Sequence, residues 1–250
     1  GTEVPTSIAP AEPWGLSAGD FDGDGRTDLA FLHFLNAKVQ VVRGSDDGSF
    51  IDSLTLPLAL PGIAQSLTLC DANEDGLLDL VASQQSANRL TLYLGAQGGG
   101  FVIPPSQILT GQSAFLLGSA DFDGDGHVDL LTQLVSFNPV PSIMWGAGDG
   151  SFELPAEVAP IEFHSVGDLD GDGRVDVIGR SPDDGGEDYW SWTPGGRFVA
   201  TPVETDIPEC EPNEIGFGDL DRDGVDELIC AYANGLLVVF DRSPSGGLEV

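Results

Sequence analysis

Short apolar runs alternate with turns along the whole chain. In residues 16–60 the runs LSAGD, LAFLHFL, VQVVRG and SLTLPLAL are separated by segments rich in Gly, Asp and Asn. Runs of this length, rich in Val, Leu and Phe and bounded by turn residues, predict β-strands. Because no window keeps a helical period over three turns, the pattern predicts an all-β protein.

An acidic motif returns five times, each time directly after a predicted strand. Its copies are DFDGDGRTDL at 20, DANEDGLLDL at 71, DFDGDGHVDL at 121, DLDGDGRVDV at 168 and DLDRDGVDEL at 219, at intervals of 51, 50, 47 and 51 residues. A second, weaker motif, a glycine-rich turn such as GAGDGSF, follows each copy in step. Two motifs repeated together indicate structural repeats, and four short strands in about fifty residues are typical of a propeller blade.

The repeats predict one β-propeller domain over residues 1–250, with five blades of four antiparallel strands. The run TEVPTSI at residues 2–8 has the character of a fourth strand, whereas the last repeat stops soon after its third run, LLVVF. We expect the N-terminal strand to complete the last blade and close the ring, which leaves no open sheet edge. The alternative is a five-repeat piece of a larger ring, which would expose apolar blade faces and associate.

The acidic loops have the spacing of a calcium site. Oxygen ligands at loop positions 1, 3, 5 and 9, with the backbone carbonyl of position 7 and a glycine at position 6, wrap a hard cation of calcium size. Magnesium fits less well because it prefers a stiffer octahedral shell with several waters. About five calcium ions are expected, one per repeat. The predicted ligands are Asp20, Asp22, Asp24, Arg26 and Asp28; Asp71, Asn73, Asp75, Leu77 and Asp79; Asp121, Asp123, Asp125, His127 and Asp129; Asp168, Asp170, Asp172, Arg174 and Asp176; and Asp219, Asp221, Asp223, Val225 and Glu227.

Two other classes of calcium-binding protein are excluded by the sequence. An EF-hand loop needs an acid at position 12, where the five copies carry Phe31, Ala82, Thr132, Gly179 and Cys230. Glycine-rich β-rolls repeat every nine residues, whereas this chain repeats about every fifty.

A DxDxDGxxDL loop between two strands, followed by a G-x-x-x-G-x-F turn, resembles the FG-GAP/VCBS repeat family, a relative of the integrin α-subunit propeller. The resemblance covers essentially all 250 residues. It implies calcium held in the hairpin between the first and second strands of each blade, with partners on the opposite face. The integrin-type ring has seven blades, whereas this chain has five repeats. Asn73 and Glu74 in the second loop, and Asp226 and Glu227 in the fifth, depart from the motif.

The charge balance excludes some partners. A formal net charge of −32 makes nucleic acid and anionic membranes poor partners, because affinity for phosphate comes largely from Lys and Arg. No apolar run is long enough to predict a membrane span. Three cysteines are too few for a disulfide scaffold, although Cys210 and Cys230 could pair.

The sequence contains no recognisable catalytic motif, and we expect the protein not to be an enzyme. HExxH and CxxC motifs are missing, and we do not expect the first-strand run GLSAG at residues 15–19, which has the GxSxG spacing, to be a nucleophile elbow. We expect instead a secreted or cell-surface monomer that binds a protein or a glycan through the face opposite the calcium loops. A calcium-dependent lectin is the alternative, and a lyase or hydrolase propeller is a third reading. Candidate ligand-face aromatics, expected in the connections after the second and fourth strands such as residues 183–190, are Trp14, Phe34, Phe137, Tyr189, Trp190 and Tyr232.

Overall fold

The computed structural model describes most of the first three repeats and shorter parts of the last two. The described residues are 13–33, 38–58, 64–84, 88–134, 141–157, 162–168, 174–180, 187–193, 197–202, 215–218, 220, 225–231, 237–242 and 248–249. All secondary-structure elements among these residues are β-strands, as the apolar pattern predicts.

Each repeat folds into one four-stranded sheet whose four strands lie side by side in chain order. The first sheet contains β1 (Pro13–Gly19), β2 (Asp28–His33), β3 (Lys38–Gly44) and β4 (Phe50–Pro57). The second contains β5 (Ala64–Cys70), β6 (Asp79–Gln84), β7 (Arg89–Tyr93) and β10 (Ser106–Leu109), with the short pair β8 (Gly95–Ala96) and β9 (Gly100–Phe101) in its outer turn.

The third sheet contains β11 (Ala114–Ala120), β12 (Asp129–Leu134), β13 (Pro141–Met144) and β14 (Ala156–Glu157). The fourth contains β15 (Glu162–Gly167), β16 (Asp176–Arg180), β17 (Glu187–Thr193) and β18 (Arg197–Pro202). The fifth contains β19 (Ile215–Gly218), β20 (Glu227–Ala231), β21 (Leu237–Arg242) and β22 (Leu248–Glu249). The prediction of four strands per repeat is therefore confirmed.

The end of the chain differs from the expectation. The last repeat does not stop after its third strand, because β22 pairs antiparallel with β21 through Arg242 and Leu248. The fifth sheet thus takes a fourth strand from its own repeat. The predicted N-terminal strand at residues 2–8 lies outside the described residues, as does Cys210, so the pairing of Cys210 with Cys230 stays a prediction.

The chain divides into two compact units. One comprises Gly1–Ala120 and His127–Ala156, and it contains the first two sheets and most of the third. The other comprises Asp121–Gly126 and Glu157–Val250, and it contains the fourth and fifth sheets.

Within the first unit, the second strand of the second sheet is buried on both faces. All six residues of β6 are buried. Leu80 and Ala82 pack in a core with side chains of the first repeat, whereas Val81 packs in a separate core with side chains of the third. Since successive strand residues point to opposite faces, one sheet contributes to two cores. Burial on both faces explains why the strands read as short apolar runs rather than as strict alternation.

The first glycine of the second motif marks a close approach between the third strand and the acidic loop. A Cβ placed on Gly44, Gly95 or Gly146 would overlap the backbone carbonyl of Thr27, Leu78 or Val128, respectively. Each of these carbonyls belongs to position 8 of the loop in the same repeat. The glycine is therefore required by space, because any side chain would push the turn away from the loop.

Replacement of this glycine is expected to be costly. Gly146→Ala should lower the free energy of unfolding by about 1–3 kcal/mol, the usual range for overpacking, because the new methyl group meets backbone. Gly100→Ala is the control, since a Cβ there has no atom within 4 Å. Urea unfolding of the two variants should separate them clearly. Equal stabilities would show that the loop and turn can move apart freely.

Candidate metal centre

The five acidic loops connect the first strand of a sheet to the second, as the repeat pattern predicts. In the first repeat, β1 ends at Gly19, the loop begins at Asp20 (position 1), and position 9 is Asp28, the first residue of β2. The second and third loops have the same frame, beginning at Asp71 and Asp121. The hairpin thus brings the acidic side chains of each loop to one end of its sheet.

Among the loop residues that the structure describes, those of the first and third loops bring three carboxylates close together. Oxygens of Asp20, Asp22 and Asp28 all lie within 4.8 Å of one another, and so do oxygens of the third-loop set. The third-loop set is Asp121, Asp123 and Asp129. Carboxylate oxygens at this spacing are the ligands that calcium prefers, so these residues fit the ion that the sequence implies.

In the first three loops, the position-1 aspartate organises the loop by accepting hydrogen bonds from backbone amides. Asp20 Oδ1 accepts a hydrogen bond from the amide of Gly23 at 2.8 Å, and Oδ2 accepts one from Gly25 at 2.8 Å. The amide of Gly25 makes the largest contribution to lowering the pKa of Asp20. Asp71 and Asp121 accept the equivalent amides of Gly76 and Gly126 at 2.8 and 2.9 Å. These three loops therefore keep a common shape around the position-1 carboxylate.

The position-6 glycine makes the turn that this shape requires. Gly25, Gly76 and Gly126 have φ values of 83°, 82° and 95°. Residues with a Cβ rarely adopt this left-handed region, so glycine is the natural residue at this position.

Electrostatic repulsion within the first loop also favours a bound cation. The pKa of Asp22 is raised, first by burial and then by the negative charges of Asp24 and Asp28. Like charges raise the pKa of an acid because they disfavour its ionised form. A divalent cation among these oxygens would reverse that effect. The charge distribution thus agrees with the geometry.

The position-9 acid has a second role, which sequence reasoning missed. Asp79 is fully buried, and its two oxygens accept the amides of Ala72 at 2.9 Å and Gly95 at 2.7 Å. Asp28 accepts the equivalent amides of Phe21 at 3.0 Å and Gly44 at 2.8 Å. We name this arrangement the position-9 clamp, because it ties the start of the loop to the end of the third strand.

Single contacts of the clamp recur in two other repeats. Asp129 accepts the amide of Gly146 at 2.9 Å, and Glu227 accepts that of Leu220 at 2.5 Å. The clamp explains why the two sequence motifs stay in step, since the acid of one motif holds the first glycine of the other. That constant spacing was the signal from which the clamp could have been found.

The position-7 side chains of Arg26 and His127 contact neighbouring acids. The Arg26 guanidinium donates to Asp24 at position 5, and it also contacts Asp46 at 3.1 Å. His127 Nδ1 contacts Glu74 Oε1 in the preceding loop. That the backbone carbonyls of position 7 bind metal stays a prediction, as does metal binding by Asp24, Asp75 and Asp125.

The second loop differs from the first and third at positions 3 and 4. Asn73 replaces an aspartate, and its amide donates to Asp75 at 3.1 Å. Glu74 has a φ of 57°, whereas the equivalent Gly23 and Gly124 have φ values of 74° and 78°. The left-handed backbone is therefore common to all three loops, and Glu74 adopts it in spite of its Cβ.

A pair of variants should measure the strain at this position. Glu74→Ala keeps the Cβ and loses the contact with His127, whereas Glu74→Gly loses the contact and relieves the strain. We expect Glu74→Gly to be more stable than Glu74→Ala by about 1 kcal/mol, since alanine is disfavoured where φ is positive. The measurement is urea unfolding of both variants in chelator. If the alanine variant were the more stable, the backbone at Glu74 would not carry this strain.

The last two loops are described only in part. Their described ligand candidates are Asp168, Arg174, Asp176, Val225 and Glu227, and those outside the described residues are Asp170, Asp172, Asp219, Asp221 and Asp223. In the second unit, the amide of Asp226 donates to the carbonyl of Asp168 at 2.9 Å, and the amide of Asp168 donates to Asp226 Oδ2 at 2.9 Å. Asp226, which departs from the motif, thus links two consecutive loops.

The structure describes only some of the predicted ligand-face aromatics. Trp14 lies in β1 opposite Leu32, at the end of the sheet away from the acidic loop. Tyr189 and Trp190 lie inside β17, opposite Ile178 and Val177, rather than in the connection where the sequence placed them. The reason is that β17 begins at Glu187, earlier than the predicted loop ends. Phe34, Phe137 and Tyr232 lie outside the described residues.

Comparisons with known proteins agree with this architecture. The model of the FG-GAP-like repeat matches residues 20–82, 71–132 and 168–230. No match was found among curated protein sequences. In the described part of the chain, no helix is long and apolar enough to cross a membrane.

Solved structures of other proteins resemble the chain. The Pseudomonas aeruginosa periplasmic gluconolactonase PpgL is 21% identical, with a TM-score of 0.56 over 95% of this chain and 68% of that one. The Dos1 propeller is 14% identical, with a TM-score of 0.58 over 94% and 69%. A putative 6-phosphogluconolactonase from Bacteroides uniformis is 14% identical, with a TM-score of 0.57 over 93% and 68%. At these identities the likeness shows the β-propeller fold.

The comparison contradicts the expectation that the protein is not an enzyme. Two of these solved structures are named as lactonases, so proteins of this fold include hydrolases. Missing catalytic motifs such as HExxH were therefore a poor guide, because these motifs belong to other folds. For family membership the repeats are decisive, since the matched segments cover well over half of the residues. The chain belongs to the FG-GAP-like repeat family.

Proposed function

We propose that the protein is a calcium-stabilised β-propeller module that works outside the cell and binds a ligand through the face opposite its calcium loops. The observation that carries the calcium part is the convergence of Asp20, Asp22 and Asp28 within 4.8 Å, repeated in the third loop. Extracellular calcium modules bind with dissociation constants of about 0.1–1 mM, which suits calcium levels outside cells.

Equilibrium dialysis against calcium tests this proposal. The wild-type protein is expected to bind about five ions in the affinity range of extracellular modules. The double variant Asp20→Ala, Asp121→Ala should bind about two fewer, one for each altered loop. Asp47→Ala is the control, since Asp47 is an exposed turn residue that accepts the amide of Ser49. A folded wild-type protein that binds no calcium would refute the proposal.

The proposal takes the five sheets as blades of one closed, monomeric ring. Its support is that each of the five repeats forms its own four-stranded sheet. Light scattering of the calcium-loaded protein should give the mass of one chain. Stable dimers or larger assemblies would favour a piece of a larger ring, because its exposed apolar faces would be buried by association.

The ligand is a protein or a glycan in this proposal. The acidic loops are alike, whereas the aromatic candidates on the other face differ between repeats, which favours a single asymmetric partner. A glycan array, run in calcium and in chelator, distinguishes the alternatives. Calcium-dependent binding to a narrow glycan class would identify a lectin. If the folded, calcium-loaded protein bound no glycan on the array, a protein partner would be favoured.

A second candidate function is lactone hydrolysis, favoured by the names of two structural neighbours. Acid release from glucono-1,5-lactone, measured against the spontaneous rate, tests it directly. A rate that scales with protein concentration would support the hydrolase. A rate equal to the buffer blank would exclude this substrate for the protein.

A further inference from the structure

The first calcium loop is packed directly against the outer turn of the second repeat. The turn spans residues 95–101. A Cβ placed on Gly99 would overlap the Cβ of Asp22, which is position 3 of the loop. The backbone of the turn and the base of this predicted ligand are thus in contact, although they are far apart in sequence.

Arg43, near the end of β3, joins the same two elements. One of its nitrogens donates to the carbonyls of Gly98 at 3.1 Å and Gly99 at 3.4 Å. Another lies 3.7 Å from Asp22 Oδ2. Arg43 therefore holds the turn and the ligand side chain through one rigid guanidinium group.

The same contact returns one repeat later. The turn of the third repeat, residues 146–152, packs on the second loop. The amide of Gly150 donates to the carbonyl of Ala72 at 2.8 Å, and a Cβ on Gly150 would lie 3.8 Å from the Cβ of Asn73. Asn73 is again position 3, so the turn glycine meets the same loop position at both boundaries.

The packing leaves little room for one partner to move alone. At the first boundary an added methyl group already overlaps Asp22, so a shift of this side chain towards the turn must displace the turn as well. Closely packed elements transmit small displacements because the interior has few voids. The side chain of Asp22 is only 12% exposed, which limits its alternative positions.

We propose that the first calcium loop is a joint between repeats, in which calcium held by Asp20, Asp22 and Asp28 orders the 95–101 turn and the turn in return sets the affinity of the loop. This proposal rests on the proposed calcium binding and deepens it. Coupling between two sites is reciprocal, so each half can be measured separately. Arg43 acts as a positioning residue in the joint.

Hydrogen exchange of the full chain, read by mass spectrometry, tests the first half. In the wild-type protein, calcium is expected to slow exchange in peptides that cover 20–28 and also in those that cover 95–101. Asp22→Ala keeps the Cβ that meets Gly99 and removes the carboxylate. In this variant the calcium-dependent slowing at 95–101 should be lost, while that at 146–152 remains. Asp123→Ala, in the third loop, should leave the response at 95–101 intact.

Calcium affinity of glycine variants tests the second half. Gly99→Ala is expected to raise the dissociation constant of the first loop by on the order of tenfold, through the overlap with Asp22. Gly48→Ala is the matched control, because Gly48 is the equivalent turn residue, has a φ of 77°, and has no atom within 4 Å of an added Cβ. It carries the same backbone strain without the overlap.

The outcomes separate this proposal from the calcium proposal beneath it. If the wild-type protein binds no calcium, the proposed function fails. If it binds calcium but exchange at 95–101 is the same in calcium and chelator, the joint is refuted. Equal affinities of Gly99→Ala and Gly48→Ala would refute it too. If Gly99→Ala does not fold, hydrogen exchange at 95–101 in the wild-type protein and in Asp22→Ala still tests the proposal.

Discussion

The midpoint of thermal unfolding is expected to rise by on the order of 15–25 °C when about 5 mM calcium replaces chelator. A ligand that binds only the native state stabilises it by RT ln(1 + [L]/Kd), which is about 1.4 kcal/mol per site for a tenfold excess over Kd. Five independent sites would add about 7 kcal/mol. For a chain of this size, one kcal/mol moves the midpoint by about 2–4 °C.

The controls for this measurement follow from the charge of the chain. At a net charge of −32 the acidic side chains repel one another. Any salt screens this repulsion and will stabilise the protein to some extent. The chelator sample therefore needs potassium chloride to match the ionic strength, and a magnesium sample shows whether the effect is specific to calcium. Equal midpoints in calcium and in matched salt would contradict calcium stabilisation.

The second large effect is expected at the position-9 clamp. Asp79→Ala removes both acceptors of the amides of Ala72 and Gly95, which are buried with the side chain. An unsatisfied buried donor costs about 1–3 kcal/mol, so the variant should lose about 3–5 kcal/mol. That is a large share of the total stability of a domain, which is about 5–15 kcal/mol.

Measuring this variant in chelator separates the clamp from metal binding. Asp75→Ala is the matched control, because Asp75 is an exposed ligand candidate in the same loop and lies outside the clamp. Asp79→Asn retains one acceptor, and it should fall between Asp79→Ala and the wild type. If Asp79→Ala and Asp75→Ala unfolded at the same urea concentration without metal, the clamp would not contribute to the stability of the fold.

The sequence predicted the strands and the acidic loops well, because both depend on local spacing. The strand β6 and the loop at 71–79 follow from apolar runs, turn residues and alternating acids, all within residues 71–84. Position 6 is predictable for the same reason, since Gly76 is required by the conformation of its own backbone.

Features that depend on distant contacts were missed. The hydrogen bond from the amide of Gly95 to Asp79 forms because the chain returns beside the loop after the third strand. No local sequence pattern predicts this return. The short strand β22 was missed because two residues carry almost no periodic signal. Tyr189 and Trp190 were placed in a connection because acidic and glycine residues precede them, although β17 already begins at Glu187. The enzyme expectation failed because it relied on motifs from unrelated folds.

The burial of β6 on both faces has a consequence for how such a chain can evolve. Leu80 and Ala82 fit the repeat before, and Val81 fits the repeat after, so each repeat carries one face shaped for each neighbour. Duplication of a whole repeat supplies both faces at once, whereas loss of half a repeat leaves two surfaces that were never shaped to meet. Once neighbouring copies have diverged, exchanging their order becomes as disruptive as deleting one.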